Sequence, residues 1–445
     1  MRISLSPRFG ASAGNVLLIS LVVSGSLGFV LAGYLTLVGG QNQATIRSLA
    51  WNSAIPIAES GIEEALTQLH ANDTNLVANN NWTLVDGKYY QKWLTVGADR
   101  YLAGFFTNIP PVLVSQGFTR LPLSTNTISR TVVVRTRWAM LFAKGMVARE
   151  KIDLQGNWIT ADSFDSADPN YSTNGQYDPN KRKDNGTIVC NSNSFNVGNA
   201  DIRGKIATGP FGVPSIGPNG VVGDNAWVSN PANQGQIQPG AWANDMNASF
   251  FDVDPPPGGA VPPPSQNPYD YVLGNGNYII NTGTFGGKVL VTGNATLLVT
   301  TAVKFNGQDY INIQTNASLK LYVSAASASI GGEGVQNDTE NAANFVYYGL
   351  PSNTSVTYSG NSGLVGSIYA PDADFTLNGG GNNAHDFAGA CVVKSVTMNG
   401  HFNFHFDENL TRAGPHRGWI ADSWDETTKS WADIRANNLM PNDLP

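Results

Sequence analysis

The sequence predicts a mainly β chain: a long N-terminal transmembrane α-helix, a small antiparallel sheet, then a right-handed parallel β-helix-like solenoid. Three observations predict it. An uncharged apolar run near the N-terminus is long enough to cross a bilayer, a period-2 alternation of β-branched residues follows, and short strand motifs with Asn/Gly turns then recur at a spacing of 21 or 22 residues.

Composition agrees with that class. Charged residues make up 13% of the 445, against about a quarter in an average domain, while 48 Gly and 24 Pro supply turns. The net charge is −7 with no long basic run, which argues against a nucleic-acid partner. Cys190 and Cys391 lie 201 positions apart with no Cys or His at metal-ligand spacing. The reading favours two buried, unpaired thiols over a disulfide.

The first element is the apolar run. Val16 to Gly39 carries no charge, and as a helix its length is about 36 Å at ~1.5 Å per residue, enough to span a bilayer with tilt. Arg2 and Arg8 precede it and no acidic residue appears before Glu59. The N-terminus is therefore expected on the cytoplasmic side and the rest outside. A cleaved signal peptide fits less well, because its apolar core is shorter, roughly 7–15 residues. Ser24, Gly28 and Ala32 form a small-residue face on this helix suited to close helix packing. Beyond the membrane, Ile46, Leu49, Ser53, Ile57, Gly61, Ala65 and Leu69 recur as one face of an amphipathic continuation. Pro56 is expected to kink it.

A short basic leader with a Gly before a long apolar helix, running on into AWNSAIPIAESGIEEALTQL, resembles the PilX-like minor pilins of type IV pili. The resemblance covers residues 8–70. It implies cleavage by a prepilin peptidase after Gly14, with a methylated Asn15 as new N-terminus; Gly10 before Ala11 is the alternative position. It also implies pilin-like subunits as partners of the helix. The chain departs from major pilins in having Ile19 where they carry a Glu.

Residues 71–85 read as an Asn-rich loop. The runs YYQKWLTV, RYLAGFF, VLVSQGFTR and ISRTVVVRTRWAMLFA then read as four strands of a small sheet, with Val132, Val134 and Thr136 alternating against Val133, Arg135 and Arg137. The helix and sheet together make a pilin-like module.

The remainder is built on repeats. GNATLLV and TNASLKLYV set Asn294 and Asn316 22 residues apart; FTLNG and VTMNG set Asn378 and Asn399 21 apart; VKFNG at Val303 and IDLQG at Ile152 are variants. That period is one turn of a parallel β-helix, in which stacked turns share a core and stacked Asn residues share hydrogen bonds. A β-sandwich with chance similarities is the competing reading. The segment from LVGSIYAPDADFTLNGG to HFNFHFDENL also resembles β-helical C-terminal domains of unknown function attached to PilX-like N-termini.

The expected division is a leader (1–14), the pilin-like helix (15–70), the sheet module (71–143), the β-helix-like domain (144–412) and a C-terminal cap (413–445). Residues 209–275, with their proline blocks, are expected as an inserted loop over the solenoid, and 332–344 as a second excursion. Trp419, Trp424 and Trp431 are expected to cap the last rung.

Two clusters carry candidate chemistry. Asp162, Asp165 and Asp168 could bind Ca²⁺ or do acid–base work on a polysaccharide, with a polar turn as the plainer reading. In HFNFHFDENL a strand sets His401, Asn403, His405 and Asp407 on one face and three Phe on the other. Histidines four apart on a strand are about 13 Å apart, too far to share one metal. That polar face, with His385 and Asp386 nearby, is expected at the surface or at a solenoid end. Exposed Trp among Trp138, Trp158, Trp227 and Trp242 would suit sugar stacking.

The sequence reading is thus a non-enzymatic, pilin-like membrane-tethered protein without cofactors, displaying a solenoid in the periplasm or outside the cell as a type IV pilus minor component or adhesin. Membrane lipid, pilin-like subunits and a surface polysaccharide or protein ligand are its expected partners. A membrane-anchored β-helical polysaccharide lyase or hydrolase is the alternative.

Overall fold

A computed structural model describes residues 13–71, 80–122, 124–156, 159–263, 267–378, 385–399 and 402–437. The rest of the leader (with Gly10 and Ala11), Trp158 and His401 lie outside them. The chain divides into two compact units, Met1–Ala139 with Gly418–Pro445, and Met140–Arg417.

The first unit begins with helix α1, Ala13–Ala71, which continues through Pro56 as one element. Pro56 donates no backbone hydrogen bond, while its own carbonyl also accepts from Ser60 Oγ at 2.8 Å. The N-terminal half is long and apolar enough to cross a membrane, and none of its most apolar stretch is buried within the protein. The C-terminal half packs on a sheet through Ala50, Ala54, Ala58, Gly61, Ile62, Ala65 and Gln68. This face is rotated from the predicted one. Gly61 and Ala65 are inside as expected, but Ser53 is exposed and Leu49 is 62% exposed. The phase follows the smallest side chains, because backbone must approach backbone here. A Cβ on Gly117 of the sheet would come 2.6 Å from Ala58 N. Gly117→Val is therefore expected to cost this unit about 1–3 kcal/mol by overpacking, read as a lower denaturant midpoint.

The sheet is six-stranded, in the order β1 (Thr83–Val85), β2 (Tyr89–Val96), β3 (Asp99–Phe106), β4 (Val112–Arg120), β5 (Thr127–Met140), and finally strand His416–Thr427. The pairings from β1 to β5 are antiparallel. Alternation on β5 sends Val132 and Val134 into one cluster with Ala58 and Ile62 of α1. Val133 goes to the opposite face, with Trp431 and Ile434. The expected C-terminal cap at 413–445 is thus corrected. From Gly418 the tail belongs to the helix-and-sheet unit, where it adds a strand and the helix Trp431–Ala436.

The second unit is a stack of short parallel strands. Asn294–Val299, Ser318–Val323, Phe345–Gly349, Leu364–Leu377 and His385–Met398 pair in succession. The next neighbour of His385–Met398 is β6 (Met146–Leu154), from the start of the unit. Likewise Phe402–Asp407 pairs in parallel with β7 (Thr160–Phe164). The chain therefore enters its ladder in the middle, builds outward to Trp242–Ala243, and returns at the other end to close against β6 and β7. Closure satisfies backbone groups that a terminal strand would leave open.

The repeat motifs fall in register. Phe305, Ile330, Tyr358, Leu377, Met398 and Leu154 form one buried column, so VKFNG, FTLNG, VTMNG and IDLQG occupy equivalent positions. Asn399 Nδ2 donates to Asn378 Oδ1 at 3.0 Å, the expected ladder. The other spacing needs correction: Asn294 pairs with Ser318, whose hydroxyl donates to it at 2.8 Å, not with Asn316.

The predicted insertion is also smaller than expected. Ser215–Ile216, Val221–Gly223, Gln236–Ile237 and Trp242–Ala243 all join the parallel ladder, and within the second expected excursion Gly334–Asn337 pairs in parallel with Tyr310–Ile313 in a separate four-stranded sheet. Strands of two to four residues between Gly, Asn and Pro corners carry too little apolar periodicity to be read from sequence. Within the proline-rich stretch, Ala260 bridges to Tyr278 in parallel and blunts the outer edge there.

Candidate functional site: the His405 cluster

The closing pair β7 and Phe402–Asp407 places His405 directly opposite Asp162. Phe402, Phe404 and Phe406 fill the core as the alternation predicts. Two residues of the polar face are buried, however: Asp407 is 1% exposed and His405 2%, the latter because the segment after β7 folds back and lays the Tyr177 ring on the imidazole at 3.5 Å. His405 Nδ1 lies 2.6 Å from Asp162 Oδ1, and Nε2 lies 3.3 Å from Asp386 Oδ1, off the hydrogen-bond axis. Tyr177 donates its hydroxyl to Asp162 Oδ2 at 2.7 Å.

Electrostatics follow from this geometry. Burial alone would lower the His405 pKa, but the hydrogen bond to Asp162 and the proximity of Asp386 outweigh it and leave it raised. The two neighbouring carboxyl groups thus favour the protonated form of the imidazole. Burial and then the Asp162 charge push the Tyr177 hydroxyl up, so it remains a donor. Burial, then repulsion from Arg182, lowers Arg203, whose buried guanidinium has no ion pair among the described residues. Burial raises the Asp407 carboxyl, which accepts from Ser166 N and Asn409 N at 3.1 Å each.

The three predicted carboxylates do not converge. Asp162 serves His405 and Tyr177, Asp165 accepts from Arg412 Nη2 through both carboxyl oxygens at 2.7 and 2.8 Å, and Asp168 accepts from Asn170 N in a local turn. A neighbouring set joins Glu408 to Lys183, Ser163 and Asn185. Both ring nitrogens of His405 face carboxyl groups and Ser163 donates to Glu408, so neither side chain is left free to act as base or nucleophile. Its chemistry is that of a clamp across the seam where the parallel ladder closes.

A family model described as a domain of unknown function (DUF7305) matches residues 265–413, which include Asp386 and His405. No curated protein matches the chain. Among solved structures, the competence-associated pilin ComZ from Thermus thermophilus is similar at a TM-score of 0.24 and 11% identity, covering 84% of this chain and 96% of that one.

Of the other predicted residues, Gly14 and Asn15 fall in the first turn of α1. Ser24, Gly28 and Ala32 lie on its exposed half, where a Cβ on Gly28 would meet nothing within 4 Å. Cys190 and Cys391 are free and buried, and burial pushes both thiols up, away from the reactive thiolate. Sequence reasoning missed Tyr177 and Arg203. Neither stands in a recognisable pattern; the fold-back after β7 brings Tyr177 onto His405, and the stacking of strands brings Arg203 within electrostatic reach of Asp162 and Tyr177.

Proposed function

We propose that this chain is a pilin-like, membrane-tethered structural or interaction protein of the PilX-like kind, displaying a right-handed β-solenoid outside the cytoplasmic membrane. Its place is a minor component or adhesin of a type IV pilus-like fibre. The observation that carries this reading is the division of α1: an uncovered apolar half, then a half packed by Ala and Gly onto an antiparallel sheet. An apolar surface of that length needs lipid or sister helices to cover it. Ser24, Gly28 and Ala32 supply a face for close approach, and a cut after Gly14 would leave Asn15 as the terminus of the mature helix. The parallel ladder, with its in-register motif column, supports the solenoid reading of the displayed part.

The reading is non-enzymatic, because His405, Asp162 and Tyr177 are engaged with one another. Mass spectrometry of the mature protein from the membrane fraction tests it. The expected N-terminus is a methylated Asn15. Recovery of intact Met1 would reject the pilin-like processing.

A further inference from the structure

After the short strand Trp242–Ala243 the chain leaves the parallel ladder. Residues 245–250 form neither strand nor helix, yet their inner side is held. Met246 N donates to Thr208 O at 3.0 Å, and Asn191 grips Ala248, accepting from its N at 2.8 Å and donating to its O at 2.6 Å. Met246, Ala248 and Phe250 pack against the core, while Asp245, Asn247 and Ser249 are exposed. The segment thus alternates as an extended chain does, with a carboxylate, an amide and a hydroxyl along its outer side.

We propose that Asn247 is an acceptor for N-linked glycosylation, recognised through Asp245 and Ser249. The inference rests on the reading that this unit lies outside the cytoplasmic membrane, where a lipid-diphosphate-linked oligosaccharide is the donor. In the transfer, a bond forms between Asn247 Nδ2 and C1 of the first sugar. The bond from C1 to the diphosphate oxygen breaks, its electron pair leaves with the lipid diphosphate, and one amide proton passes to a base of the transferase.

The pattern Asn-x-Ser/Thr recurs along the chain, and three copies, at Asn170, Asn247 and Asn409, have Asp two residues before the Asn. The fold separates these three. Asn170 donates its amide to Asp168 Oδ1 at 3.0 Å, and Ser172 is 1% exposed. Asn409 donates its amide to Ser166 Oγ at 3.3 Å, and the Thr411 hydroxyl is taken by Glu408 O at 2.8 Å. The exposed side chains of Asn247 and Ser249 make no hydrogen bond among the described residues, so amide and hydroxyl are both open to a transferase. Asp245 forms no ion pair among the described residues, which leaves its carboxylate for a cation of that enzyme. A bulky glycan on the outer side would leave the packed side undisturbed.

Mass spectrometry of the chymotryptic peptide 243–250, from protein isolated from its own membrane fraction, tests the site. The peptide is expected to carry a glycan that yields sugar fragment ions. Asn247→Gln and Ser249→Ala should lose it, Ser249→Thr should keep it, and Asp245→Asn should lower the occupied fraction. All four changes are at exposed positions and should leave the denaturant midpoint where it was. A peptide found only unmodified, a glycan that survives Asn247→Gln, or one indifferent to both Ser249→Ala and Asp245→Asn would overturn the site. Labelling of an exposed Lys304→Cys in spheroplasts by a membrane-impermeant maleimide separates this failure from that of the underlying reading. Labelled protein with a bare Asn247 overturns the site alone. Protein labelled only after lysis overturns the outward display and the site with it.

Discussion

Replacing His405 with alanine is expected to destabilise the parallel unit by about 3–5 kcal/mol, read as a fall in its denaturant midpoint. The residue is 2% exposed and lies within charge-contact distance of Asp162 and Asp386, so its removal strands the fully buried Asp162 carboxylate. His405→Ala combined with Asp162→Asn should recover part of the loss, because no buried charge is then left unpaired. The effect should also follow pH with a definite sign. Because the folded pKa of His405 is raised, its stabilisation is complete below the ordinary histidine value of about 6.5 and is lost as pH rises through the raised value. The gap between native and His405→Ala protein should therefore be widest near pH 5–6 and narrow on the alkaline side. Asp407, raised by burial, loses stability with rising pH in a lower window that begins near the ordinary carboxylate value of about 4. It is present in both proteins and drops out of the difference. A gap that is constant or widens with pH would show that His405 acts by packing alone.

Trp431→Ala is expected to cost the helix-and-sheet unit about 3–5 kcal/mol, the usual range for a large aromatic cut from a core. Trp431 is 1% exposed, stacks near Tyr89 and Phe106, and donates its Nε1 to Leu102 O at 3.0 Å. Its backbone N donates to Gln116 Oε1 at 3.1 Å. The sheet leaves space for it at Gly104, where a Cβ would come 2.7 Å from Trp431 Cζ2. Early loss of this unit, with the parallel unit melting as before, is the result to look for. A variant as stable as the native chain would mean that the tail only lies on the sheet. The placement carries a consequence for truncations: removing the last residues as a dispensable tail strips one face of the sheet.

The sequence by itself determined the elements whose signal is local. An uncharged run of 24 residues from Val16 to Gly39 is apolar along its whole length, and it lies in the N-terminal half of α1. Alternation from Thr131 to Trp138 made β5, and the Asn-Gly motifs identified equivalent strands, even for IDLQG, more than 200 residues before its neighbour VTMNG. Periodicity identifies which residues point inward, but not what meets them. Tertiary structure alone decided the order of the ladder, with its first strands closing against its last, because a repeat motif states a position within a strand and not which strand comes next. It decided the return of Trp431 to a sheet begun over 300 residues earlier, for which no local pattern exists. It also decided the fate of His405. The strand pattern placed that residue on a polar face, but whether the face meets water or a Tyr177 ring depends on how the chain folds back after β7. Burial is a property of the assembled unit, and with it comes the His405–Asp162 clamp on a face that the sequence pattern places at the surface or at a solenoid end.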